Sequence, residues 1–305
     1  MTPALDDLCA QVLKRVTPKA KQRKHILALA ENLRKKVIEA SKRTGLEAEV
    51  RVEGSVAKDT WLSEEPEIDI FMRLPTTTPR EAFGTICLEI ARKATKGYKQ
   101  IERFAEHPYL EAITDTIKVN IVPCYKVKQG EWISATDRTP FHTDYVKPLL
   151  NEKVCGEVRL LKRFMKGIGV YGAEIKIGGF SGYLCELLTL NYKSFANILK
   201  SFAELKDGKI IDIEDYYRER KNEAKKIFEE PLIIIDPVDK GRNAAAAVRK
   251  ERIDELIAAA RAFLKNPHHN FFYPPAQKAY SIKRLVQLIA SRGSALVLIK
   301  FGRVK

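Results

Sequence analysis

The sequence predicts an α+β protein, and three observations carry that prediction. Short runs with period-two alternation crowd the first half, at 47–53 (EAEVRVE), 67–74 (EIDIFMRL), 109–114 and 117–126 (TIKVNIVPCY). Helical periodicity dominates from about residue 139 onward. The length of 305 residues, with 45% hydrophobic and 30% charged residues, suits two or three soluble domains.

Taken in order, residues 4–43 read as helix. Leu13, Val16, Ile26, Leu27, Leu29, Leu33, Val37 and Ile38 recur near helical spacing, and the basic run KAKQRK falls on the polar side. The run 47–53 is a first strand and 67–74 a second. A helix at about 79–95 precedes two more strands, which the turn Thr114-Asp115-Thr116 joins as a hairpin. Thr139-Pro140 reads as a helix start, with Thr as the cap and Pro in the first turn. Residues 157–167 form a helix ended by Gly167 or Gly169, and Ser181 is a candidate cap for an apolar helix over 183–203. The run 231–236 (PLIIID) is a buried strand, followed by a long helix at about 244–265 and another at 281–291. A last strand, 295–301, is apolar on both faces and needs neighbours on each side. The sequence therefore predicts a domain that would continue beyond it.

No stretch approaches the roughly 18 uninterrupted apolar residues of a membrane span. The segment MTPALDDLCAQVLKRV lacks a basic region followed by an apolar one, so no secretory signal is read. Five cysteines, none in CxxC spacing, argue against a disulfide scaffold or a cysteine zinc site and fit a reducing cytoplasm. The net charge is +15, of which residues 151–305 hold +11. A basic surface of that kind suits a polyanion, with RNA, DNA and an anionic membrane all open on charge alone.

The sharpest chemical signal is Gly54-Ser55 followed by Glu67-Ile68-Asp69 on a strand. Residues i and i+2 of a strand share a face, so Glu67 and Asp69 present two carboxylates side by side while Ile68 and Ile70 enter the core. Paired hard oxygen donors suit Mg²⁺. A glycine lets backbone approach a triphosphate, and Ser55 adds a hydroxyl and an N–H. An isolated E-x-D is as readily structural, so the combination is what gives the signal its specificity.

The run GSVAKDTWLSEEPEIDIF resembles the nucleotidyltransferase signature of the archaeal, class I CCA-adding enzymes (tRNA nucleotidyltransferases). Further blocks resemble this family in its order: AEHPYLEA, IVPCYKV, SATDRTPFH, EVRLLKRFMKGIGVYGAE, GGFSGYLCELL and IDPVDKGRNAAA. The resemblance implies a polymerase-β-like head with a small mixed sheet over 1–143 and a helical, base-selecting neck over 144–265. It implies the start of an α/β body over 266–305, with the tail beyond it. It further implies a cytoplasmic transferase that adds C, C and A to tRNA 3′ ends from CTP and ATP with Mg²⁺, without a membrane, and with a homodimer left open.

Roles carry over residue by residue. Glu67 and Asp69 match the metal-binding carboxylates, and Ser55 matches a serine at the triphosphate. Lys58 stands where the family typically has Arg, which keeps the charge and loses the bidentate fork. His107 matches a histidine near the nucleotide, and Thr139 and His142 match triphosphate contacts. Lys162 and Tyr171 match further triphosphate contacts. Without the resemblance, Lys162 reads as a lysine snorkelling past the core edge and Tyr171 as a core aromatic. Arg242 matches the arginine that reads the incoming base. The departure is Asn120, in Val119-Asn120-Ile121-Val122-Pro123, where the family carries a third metal-binding Asp. An amide can lend an oxygen to a metal but cannot take a proton. Two other readings follow: a catalytically silent tRNA-end or nucleotide-binding protein, and a poly(A)-type or oligoadenylate-type nucleotidyltransferase.

Overall fold

The computed structural model describes residues 3–114, 116–205, 209–276, 280–293, 295 and 297. They fall into two compact units, Met1–Tyr273 and Pro274–Lys305.

In the first unit, α1 (Pro3–Val16) and α2 (Ala20–Arg43) are two helices where the apolar stripe suggests one. Thr17-Pro18 divides them: a residue before proline is pushed out of the helical region, and proline has no N–H to donate. The halves then serve different cores. Ile26, Ala30, Leu33 and Val37 of α2 pack beneath a sheet, whereas Leu5, Cys9, Val12 and Val16 of α1 join the helical core that follows. Next come β1 (Glu49–Glu53), the short α3 (Gly54–Ala57), β2 (Glu67–Leu74), α4 (Glu81–Gly84) and α5 (Ile86–Ala94). Then β3 (Lys99–Phe104), β4 (Pro108–Thr114) and β5 (Ile117–Tyr125) complete a five-stranded sheet of order β1-β2-β5-β4-β3. Only β2 and β5 run parallel; the other pairs are antiparallel. The expected β4–β5 hairpin is present, although its turn residue Asp115 lies outside the described residues.

Strand β2 alternates as expected. Ile68, Ile70, Met72 and Leu74 are buried in the core that includes residues of α2 and α5, and Glu67 and Asp69 occupy the opposite face. Parallel pairing sets Asp69 beside Asn120, so the register alone brings the carboxylates of β2 to the amide of β5.

After the sheet, α6 (Arg138–Val146) begins two residues earlier than Thr139-Pro140 suggests. Ser134 and Asp137 form a reciprocal cap around a 3₁₀ turn, which runs directly into α6 and leaves Thr139 and Pro140 within its first turn. Helix α7 (Glu152–Gly167) is capped by Asn151. Ser181 caps α8 (Gly182–Tyr192) as expected, but Lys193, at φ +67°, ends that helix and Ser194 caps α9 (Phe195–Ala203). Strands β6 (Ile210–Asp212), β7 (Ile233–Asp236) and β8 (Asp239–Asn243) form a small second sheet, with α10 (Lys221–Ile227) between the first two. The long helix expected from 244 is α11 (Lys250–Lys265). Before it, the Asn243 side chain accepts from Ile234 N and Ala245 N and donates to Leu232 O, which ties the end of β8 to β7, and residues 244–247 turn before the helix begins. Phe164, Phe195, Phe263 and Phe272 meet largely edge to face at the centre of this core.

In the second unit, α12 (Ile282–Arg292) is capped by Ser281 and closed by Gly293 at φ +60°. Most of the strand expected at 295–301 lies outside the described residues.

Candidate nucleotide-binding site

The exit from β1 places backbone directly against a carboxylate. Gly54 has φ +69°, and a Cβ there would lie 2.1 Å from Asp69 Oδ2. Only glycine satisfies both the left-handed backbone and the contact. Ser55 follows at the lip of a cavity of about 260 Å³ that is lined also by Lys58, Glu67, Asp69, Thr139, His142, Lys162 and Tyr171. One cavity thus gathers eight residues expected at the site, drawn from segments up to about a hundred residues apart.

At one wall, Asn120 donates its Nδ2 to Glu67 Oε1 at 2.8 Å and to Asp69 Oδ1 at 2.9 Å. The amide thereby bridges two carboxylates that would otherwise repel. Burial, and then the charge of Glu67, raise Asp69 to about 7. The Asn120 Oδ1 is buried without a hydrogen-bond partner. An amide that turns over exchanges donor for acceptor, so Glu67, Asp69 and this unpaired oxygen together fit one hard divalent cation. Among the described residues no group of three or more His, Cys, Asp or Glu side chains is placed to hold a metal.

The floor is cationic. Lys58 Nζ lies 2.5 Å from Glu186 Oε2, and Lys162 Nζ lies 3.1 Å from both the carbonyl and the hydroxyl oxygen of Thr60 and 3.5 Å from Glu186 Oε1. Lys162 is fully enclosed, not snorkelling past the core edge, and burial lowers its pKa. Tyr171 is held in its ordinary protonated form by burial.

The far wall is organised by Asp236, which has no exposed surface. It accepts from Arg242 Nη1 at 2.5 Å, Tyr183 Oη at 2.9 Å, His142 Nε2 at 3.0 Å and Val238 N at 3.1 Å. Burial alone would raise Asp236, but these partners outweigh it and hold the carboxyl at about 2. His142 is pushed down by burial, so the neutral imidazole donates its Nε2–H to the Asp236 anion. It also stacks on Tyr183 with centroids 3.9 Å apart. Arg242 itself lines an adjoining cavity of about 520 Å³, with Arg138 and Asp239.

The structure does not bring His107 into the main cavity. Its ring is buried at the edge of Phe83, with Nε2 2.9 Å from Thr136 Oγ1, which places it behind the segment that leads into α6.

Two family models match the chain, a nucleotidyltransferase domain over residues 31–142 and the second domain of tRNA nucleotidyltransferases over residues 156–273. The CCA-adding enzyme of Methanothermobacter thermautotrophicus is 36% identical over 296 residues, covering 96% of this chain and 64% of that enzyme. That of Methanoregula boonei is 40% identical over 288 residues, covering 93% of this chain and 60% of that enzyme. The chain is similar to the archaeal CCA-adding enzymes over nearly all of its own length. It spans a little under two thirds of the length of these relatives. Its fold is that of the polymerase-β-like nucleotidyltransferases. A cytoplasmic RNA terminal U-transferase superposes with a TM-score of 0.65 at 14% identity, covering 90% of this chain and 99% of the other. An ATP-bound CdnC from E. coli MS115-1 gives 0.61 at 18% identity, covering 87% and 94%.

Sequence reasoning misses three residues of the site, Thr60, Glu186 and Asp236, although each lies within a block that resembles the family. Glu186 could have been found, because a lone carboxylate in the apolar run Tyr183-Leu184-Cys185-Glu186-Leu187-Leu188 needs a buried partner. No helix of the described residues is long and apolar enough to cross a membrane.

Proposed function

We propose that this chain transfers CMP and AMP from CTP and ATP to the 3′ end of tRNA, as the catalytic portion of a CCA-adding enzyme. One observation carries the reading: Glu67 and Asp69, bridged by the Asn120 amide, line the same cavity as Lys58 and Lys162. Oxygen donors for a cation thus stand beside ammonium groups for phosphates. Glu67, Asp69 and Asn120 would hold Mg²⁺, which when bound neutralises phosphate charge and favours ionisation of the attacking hydroxyl. Ser55, Lys58, Thr139, Lys162 and Tyr171 would hold the triphosphate, and Arg242, fixed by Asp236, would read the base edge. The tRNA 3′-oxygen bonds to the α-phosphorus, the bond to the β-phosphate oxygen breaks, and pyrophosphate leaves with the electron pair. The proton shed by the hydroxyl must go to a carboxylate or to water, because the Asn120 amide cannot take it. Residues 1–143 would form the head, 144–265 the neck and 266–305 the start of the body, in a cytoplasmic enzyme.

Asn120 favours a second reading, a protein that binds nucleotide and tRNA ends without turning them over. Incubation with tRNA lacking its 3′ CCA and each single labelled nucleotide separates the two. Incorporation of C first, and of A only after two C, supports the CCA-adding reading. Binding without incorporation supports the silent one, and immediate addition of A alone would point to a poly(A)-type enzyme.

A further inference from the structure

Glu186 is a carboxylate of the cavity that stands apart from the Glu67–Asp69 pair, among the lysines, where its charge opposes a phosphate ligand. It sits on α8 among Leu184, Leu187 and Leu188, with 1% of its surface exposed. Its Oε2 meets Lys58 Nζ at 2.5 Å, and its Oε1 meets Thr60 Oγ1 at 2.5 Å and Lys162 Nζ at 3.5 Å. Two ammonium groups therefore share one carboxylate in a nearly dry site. Burial pushes Glu186 up, and the two lysines, Lys58 before Lys162, more than reverse this, so it is ionised.

The sign of its effect follows from charge. In the empty cavity Glu186 neutralises half of the lysine charge. When a phosphate chain enters, the same ammonium groups must serve both anions, and the fixed carboxylate repels the phosphates at short range and low dielectric. The lysines can exchange one anion for the other without ever being left bare, which lowers the cost of emptying the site. We propose that Glu186 competes with the phosphates for Lys58 and Lys162, loosening the hold on pyrophosphate so that it leaves after each addition. Glu186 is thus a positioning residue that sets where the ammonium groups rest when no phosphate is bound. The inference depends on the cavity being the triphosphate site.

The opposite outcome is what a mere brace would give. If Glu186 only aligned the lysines, removing its charge would misplace them and weaken phosphate binding. The test is calorimetric titration of the full chain with pyrophosphate and with CTP, each with Mg²⁺, using wild type, Glu186→Gln and Glu186→Asp, together with pyrophosphate dissociation rates. Glu186→Gln is expected to bind pyrophosphate about tenfold tighter and to release it correspondingly more slowly. Glu186→Asp keeps the charge but withdraws it by one methylene, and is expected to shift the same way by less. It carries the test if Glu186→Gln does not fold, since unbalanced buried lysines are destabilising. Unchanged or weaker pyrophosphate binding by the folded variant overturns the proposal. A wild-type protein that binds neither CTP nor pyrophosphate overturns the nucleotide-site reading itself, and the inference with it.

Discussion

Asn120 and Asp69 are register partners on adjacent parallel strands, and the Asn120 amide donates to the Asp69 carboxylate at 2.9 Å. A carboxylate at position 120 would turn that hydrogen bond into repulsion among three anions, relieved only by cations. Asn120→Asp should therefore lower the stability of the metal-free protein by about 1–3 kcal/mol and make stability strongly Mg²⁺-dependent. The same change should raise nucleotide incorporation by at least about tenfold while CTP affinity moves by less, since the added group acts on the attacking oxygen. Thermal melts with and without Mg²⁺, and single-turnover incorporation, check both parts. Equal incorporation by the two proteins would remove position 120 from catalysis.

The raised Asp69 makes a pH prediction with a definite sign. Its carboxyl titrates at about 7 in the fold, against a reference of 3.8. Between those values the folded state holds a proton that the unfolded chain has lost. Metal-free stability should therefore fall as pH rises from about 4 to 7, by roughly 2–4 kcal/mol from this group. Asp69→Asn should flatten that slope, and Mg²⁺ should restore stability at pH 7 in the wild type alone. Denaturant melts over that range test it; parallel slopes for wild type and Asp69→Asn would place the group at its ordinary value.

Gly54 tests how closely the β1 exit must approach the site. A methyl group there would lie 2.1 Å from Asp69 Oδ2, and the backbone is already at φ +69°. Gly54→Ala should cost about 1–3 kcal/mol and weaken Mg²⁺ binding, because the carboxylate must turn away. Gly45→Ala, with a similar φ of +70° but open space around it, is the control for backbone strain alone. Equal metal affinity in the two variants would show that the Gly54 contact does not position Asp69.

Much of this site is legible in the amino-acid order because it depends on local rules. Period-two alternation in β2 sets Glu67 and Asp69 on one face, and Gly54-Ser55 marks the turn beside them. The less legible parts are tertiary. Glu186 meets Lys58 across 128 positions, and Asp236 meets His142 across 94, so no local pattern announces either contact. Helix ends divide in the same way. Pro18 splits the first helical stretch by a local rule that an apolar stripe running through both halves conceals. Ahead of α11 the Asn243 side chain reaches back to β7, a contact that only the folded chain reveals.

Asp236 should govern base selection through Arg242. The carboxylate holds Nη1 at 2.5 Å, which fixes the guanidinium plane and leaves its other N–H groups for a ligand. In an Asn120→Asp background, Arg242→Ala should narrow discrimination of CTP and ATP from UTP and GTP by about 1–3 kcal/mol. Asp236→Asn keeps the shape but loses the charge, and should produce a smaller shift of the same kind. A uniform loss for all four nucleotides would assign Arg242 to phosphate or RNA backbone.

The basic half of the chain makes a prediction about RNA that does not depend on catalysis. Residues 151–305 hold +11 of the net +15, and Lys240 lies exposed on β8 beside Arg242. Contacts of this kind act by releasing counterions from phosphates, so tRNA affinity should fall linearly with salt on logarithmic axes. The slope should be about −0.7 per phosphate neutralised on single-stranded ends and about −0.9 on duplex. Lys240→Ala should weaken binding and make the slope shallower by about one such unit, with little change in which nucleotide is chosen. Arg242→Ala should do the reverse, altering nucleotide choice more than the salt slope. Filter binding of tRNA over a salt series, paired with the single-nucleotide assay, separates the two residues. If Lys240→Ala leaves the slope unchanged, the path of the RNA backbone does not cross the exposed edge of β8.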